Sequence, residues 1–128
     1  MDDQFAPEDR YYGVRYHESA GQDLYRVAGM ILGDLKIDQV EEHMPADAVL
    51  VVAVAANTNT ITVQVHLQSD EVRAQWGSET IRSRVNVVMA RYNWVGRRNG
   101  ADVRYRTACK VAVVRGRLDA QMLGSIIG

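Results

Sequence analysis

The sequence predicts an α+β domain ordered helix, β-hairpin, helix, strand, with a three-stranded, mainly antiparallel sheet carrying two helices on one face. Three observations carry this expectation. Apolar residues from Leu24 to Leu35 recur at three- and four-residue steps, which is a helical period. Those from Thr60 to Leu67 alternate strictly with polar ones, which is a strand period. The chain has 128 residues, 47% of them apolar, enough to bury a single core without disulfides or metals.

In chain order, residues 1–17 read as a polar tail or arm, 18–117 as one α+β domain and 118–128 as a short apolar tail that suits a sheet edge or a partner. The arm carries Tyr11, Tyr12 and Tyr16 around Gly13, a patch suited to a short strand or an arm laid on the domain. The first helix is expected from about Ala20 to Glu42, with Leu24, Val27, Ala28, Ile31, Leu32 and Leu35 on its inner face and Pro45 stopping it. Asp23, Asp34, Asp38, Glu41 and Glu42 are assigned to its outer face. Gly29 and Gly33 each weaken this helix by about 1 kcal/mol relative to alanine, which implies another backbone packed close. Ala48 to Ala56 is apolar on both faces and is placed at the centre of the sheet. Asn57-Thr58-Asn59 supplies the hairpin turn, and Ile61, Val63, Val65 and Leu67 face inward from the second strand. The second helix is built on Ile81, Val85, Val88, Met89 and Tyr92, with Ser78 as its N-cap; Asp70 to Trp76 is a preceding helical turn or an ordered loop. Asn99-Gly100 marks a turn. The last strand, Val103 to Val114, alternates, and the crossover returns it beside the first strand.

Composition excludes several classes. One cysteine, Cys109, cannot form an internal disulfide, and it falls on the inward face as a small apolar residue. His17, His43 and His66 lie far apart, so no metal site is expected. No P-loop, dinucleotide or nucleophile-elbow motif is present, so neither a cofactor nor catalytic residues are assigned and the chain reads as non-enzymatic. The start is acidic and has no apolar run, so no signal peptide is expected. The longest apolar stretch is too short to span a bilayer. A cytoplasmic protein follows.

Charge gives the one functional lead. Up to Glu71 there are thirteen acids against four Lys or Arg; from Val72 onward there are eleven Lys or Arg against three acids. The basic half runs from Arg73 through Arg82, Arg84, Arg91, Arg97, Arg98, Arg104, Arg106, Lys110, Arg115 and Arg117. Arginine's planar fork suits phosphate or carboxylate. Arg104, Arg106 and Lys110 are expected on one exposed face beside Thr62, Gln64 and His66. The candidate surface for nucleic acid or an acidic partner is therefore Arg82, Arg84, Arg97, Arg98, Arg104, Arg106, Lys110, Arg115 and Arg117. No aromatic side chain is expected on that face, so base stacking lacks a platform. Two other readings compete: pairing of the two halves within one domain, and contact with an acidic protein, a second copy of the chain included.

Met30-Ile31-Leu32-Gly33-Asp34-Leu35-Lys36, then Met44-Pro45-Ala46-Asp47 and a strand pair, resembles a small domain of unknown function from actinobacterial and phage genomes. That domain also occurs as a module in large polyvalent proteins of mobile elements. Tyr92-Asn93 and the strand around Tyr105 match its layout, so the resemblance spans about Leu24 to Val114. The turn Asn57-Thr58-Asn59 replaces the family's serine- and glycine-rich one, and Val95-Gly96-Arg97-Arg98 replaces its acidic stretch. The resemblance implies a phage or mobile-element accessory protein, working in the host cytoplasm or the virion. Phage tail terminators are similar in element order, which implies self-assembly into rings. Two functions are thus expected: an accessory protein that binds nucleic acid through its arginines, or a protein–protein module that self-assembles or inhibits a host protein.

Overall fold

The computed structural model describes residues 9–114. The chain runs β1 (Arg10–Tyr12), α1 (Tyr16–Ser19), α2 (Leu24–Val40), β2 (Val49–Ala55), a 3₁₀ turn (Ala56–Thr58), β3 (Thr60–Leu67), α3 (Asp70–Trp76), α4 (Ser78–Ala90), β4 (Trp94–Gly96) and β5 (Arg106–Val113). β1 and β4 form a small antiparallel ribbon, and the main sheet has the order β2-β3-β5. Arg115, Arg117 and the apolar tail from Leu118 lie outside the described residues, as do the first eight.

The α+β class holds, with both long helices on one face of the sheet. β3 turns Ile61, Val63, Val65 and Leu67 inward, each fully buried. They meet Val27, Ile31 and Leu35 of α2 and Ile81, Val85 and Val88 of α4 in a single core. α2 lies over β2, α4 over β5, and the helices touch each other.

Strand order and direction differ from expectation. The central strand is β3, and the last strand pairs with it rather than with β2, in parallel register from Thr60↔Arg106 to Leu67↔Val113. α3 and α4 carry the chain back to the end of the sheet where β3 began, so β5 has to run the same way as β3. The sheet is mixed rather than mainly antiparallel. β2 is apolar on both sides for a different reason. Leu50, Val52 and Val54 pack against the core from an edge, while its other row ends in the small, exposed Ala53 and Ala55.

Local chemistry sets the boundaries. α2 begins at Leu24 because the Asp23 carboxylate accepts the Arg26 N–H at 2.9 Å, a cap worth about 0.5–2 kcal/mol. α3 is a helix of its own, capped by Ser69, whose hydroxyl accepts the Val72 N–H. Gly77, at φ 83°, makes the corner before α4. Asn59 adopts the left-handed φ of 55° that closes the hairpin. β5 starts at Arg106 rather than Val103 because a side chain holds the preceding backbone. The buried Asn93 Oδ1 accepts N–H bonds from Arg104 (3.1 Å) and Tyr105 (3.2 Å), and its Nδ2 donates to the Tyr105 carbonyl at 3.0 Å.

Two expectations about α2 are overturned. No atom lies within 4 Å of a Cβ built on Gly29 or Gly33, so neither accommodates a neighbouring backbone. The close approach is at Gly13, where a Cβ would collide with the carbonyls of Ala90 and Arg91; its N–H donates to the Asn93 carbonyl at 2.8 Å. Asp34 and Asp38, assigned to the outer face, are 7% and 2% exposed. They sit in the seam between α2 and α4, where arginines make their burial tolerable.

Candidate functional site

Strand alternation sends every second side chain of the sheet away from the helices. On β3 these are Thr60, Thr62, Gln64 and His66. The register places Val49, Val51, Ala53 and Ala55 of β2 beside them on one side, and Arg106, Ala108, Lys110 and Ala112 of β5 on the other. This face is uncovered among the described residues. It bears no acidic side chain and no Phe, Tyr or Trp. Arg106 and Lys110 are exposed and make no ion pair among the described residues. His66 Nε2 lies 3.2 Å from Gln64 Oε1. The face is thus cationic along β5, polar in the middle and small and apolar along β2.

Arg82, Arg84, Arg97, Arg98 and Arg104 lie elsewhere, so among the described residues the expected cations do not share one face. Arg82 pairs with Glu79 one turn earlier on α4 at 2.5 Å. Arg84 grips the buried Asp38 with two bonds of 2.8 Å. Arg97 lies 4.7 Å over the Tyr11 ring. Arg98 is 87% exposed and 3.8 Å from Asp9. Arg104, expected beside Arg106 on the open face, turns inward instead. It donates to the Ser19 hydroxyl, the Tyr92 carbonyl and the Ser19 carbonyl at 2.7 Å each, and to the Gln22 carbonyl at 3.3 Å. Four oxygens from distant segments satisfy its fork, so Arg104 ties α1 to the end of α4 and is not offered to a ligand.

Sequence reasoning missed two charged clusters because their members are far apart in the chain. Asp34 accepts from Arg15 (2.8 and 3.0 Å), Arg91 (3.2 Å) and the Tyr92 hydroxyl (2.7 Å). Burial and the neighbouring carboxylate both raise the Tyr92 phenol well above its ordinary value. Asp102 is gripped by Arg10 at 2.8 and 3.0 Å and approached by the Trp94 indole N–H at 3.4 Å; the Arg10 hydrogen bond holds its carboxyl below the usual range. Arg10 also lies 4.2 Å over the Trp94 ring, which packs with Tyr12 and Tyr16. A pairing signal was visible only as the overall split of charge.

The remaining groups are quiet. Burial raises the Cys109 thiol, which disfavours the reactive thiolate. A hollow of about 130 Å³ lies between the loop before β2 and α3, lined by Pro45, Asp47, Gln68, Val72 and Trp76 among others. It brings no nucleophile to a base. Among the described residues no three His, Cys, Asp or Glu side chains gather as a metal site, and no helix is long and apolar enough to cross a membrane. In comparison with known proteins, the chain matches no family model, no curated protein and no solved structure.

Proposed function

We propose that the chain is a non-enzymatic protein-binding module that presents its uncovered sheet face to an acidic protein partner. The observation that carries this is the make-up of the face: no acid, an apolar β2 margin, and Arg106 and Lys110 without ion-pair partners among the described residues. A protein surface with a carboxylate cluster beside an apolar strip complements both margins at once. The phage or mobile-element setting, in the cytoplasm or the virion, belongs to the same proposal and is supported by the resemblance around Met30–Lys36 and Met44–Asp47.

Nucleic acid is the second reading, favoured by Arg106 and Lys110 flanking the hydroxyl and amide row Thr60, Thr62 and Gln64. It is weaker than the charge count suggests, because Arg82, Arg84 and Arg104 are engaged inside the domain and the face has no Phe, Tyr or Trp to stack on. Capture from lysate with and without nuclease, using the native chain and an Arg106→Ala/Lys110→Ala variant, tests both. The expected result is protein retained after nuclease and lost with the variant. Loss on nuclease treatment transfers the role to nucleic acid. Retention equal for both forms sinks the open face as the binding surface.

A further inference from the structure

We infer that two copies of the chain pair through the free edge of β2, in antiparallel register about a two-fold axis at Val52. The two margins of the main sheet differ in kind. β5 carries the exposed cations Arg106 and Lys110, a common device by which edge strands repel one another. β2, Val49–Ala55, has none of the usual protections: it is seven residues long, unbroken in its pairing with β3, and free of charge and proline. No charged residue occurs anywhere from Ala48 to Ala56. Its outer N–H and C=O groups bond to no other strand among the described residues.

A second copy fits this edge for reasons of charge and side-chain parity. An axis at Val52 pairs all seven residues, Val49 with the partner's Ala55 and Val51 with the partner's Ala53. Residues on the open face then meet residues on the open face, and Leu50, Val52 and Val54 meet their own row. The result is one six-stranded sheet with the helices of both copies on one side, and no like charges are opposed. The same operation on β5 would bring two cationic strands together. Pairing of one short strand falls below the roughly 800 Å² per partner of a standard interface, so the dimer should be concentration-dependent. This inference does not depend on the acidic-partner reading, although the dimer would double the open face and set its two cationic margins at opposite ends.

Sedimentation equilibrium of the full chain is the first test, with a species of twice the 14.3 kDa chain mass expected to grow with concentration. Register is tested by two variants of equal burden. Val51→Lys/Ala53→Lys opposes lysine to lysine across the axis and should leave a monomer with an unchanged circular dichroism spectrum and melt. Val51→Lys/Ala53→Glu opposes lysine to glutamate and should restore a dimer that weakens with salt. A full chain that stays monomeric up to about 1 mM, so that any Kd lies above that concentration, overturns the inference. So does a dimer that survives the lysine pair.

Discussion

The seam between α2 and α4 and the open face of the sheet use the same kind of residue to opposite ends. In the seam, Arg84 and Arg91 meet Asp38 and Asp34, carboxylates that the fold has taken out of water. On the open face, Arg106 and Lys110 meet solvent. All four cations belong to one basic run in the sequence, yet only the second pair is available to a partner. A buried carboxylate requires a cation, so Asp38 and Asp34 of the acidic first half claim Arg84 and Arg91 of the second. The charge split is therefore in part a folding feature. What it leaves over is the surface worth testing.

The comparison is broken most severely at Asp34. Asp34→Ala removes the acceptor shared by Arg15, Arg91 and the Tyr92 hydroxyl. Stranding partners of a buried charge costs about 3–5 kcal/mol, and the lower end is expected because both guanidinium groups keep some solvent. Urea unfolding measures the loss. A cost below about 1 kcal/mol would mean that the seam is not held by its charges.

Arg104 comes next and sharpens the line between the two regions, because it was expected on the open face. Its four acceptors are backbone carbonyls and one hydroxyl, with no carboxylate among them. Arg104→Ala should cost about 2 kcal/mol by leaving buried oxygens without donors. Arg104→Lys should recover little of that, because a compact ammonium cannot reach oxygens spread around a planar fork. Thermal melts of both variants decide the point. A full recovery with lysine would reduce Arg104 to a point charge.

Periodicity made the helices, the hairpin and the inner rows of β3 and β5 legible, since burial acts on every second or every third to fourth residue. It could not give strand order, because β2 and β3 are both apolar enough to be central. The parallel pairing of β3 with β5 depends on where α3 and α4 deliver the chain, which no local pattern records. Of the candidate site, Arg106 and Lys110 were legible because β5 alternates in phase with β3. Arg104 was misread because the strand was extended three residues too early. The sign of that error lay in Asn93, whose single side chain replaces a strand partner for the backbone of Arg104 and Tyr105. Asp34 and Asp38 were misread because helical phase alone cannot show which flank a second helix will cover.

The smallest expected effect is the one that most directly separates the two regions. Arg106→Ala and Lys110→Ala, alone or together, should leave stability within about 0.5 kcal/mol of the native chain. Neither side chain has an ion-pair partner among the described residues, so nothing buried is stranded by its removal. Relief of mutual repulsion is also small. Four residues along a strand separate them by about 13 Å, beyond a screening length of about 8 Å at physiological salt. The fold thus neither needs these two charges nor suffers from them, which distinguishes a surface free to serve a partner from a seam that serves the core. Urea midpoints of the double variant, run beside those of Asp34→Ala, give the contrast in one experiment. If the double variant loses 1 kcal/mol or more, the open face is structural in the same sense as the seam, and the difference between the two regions disappears.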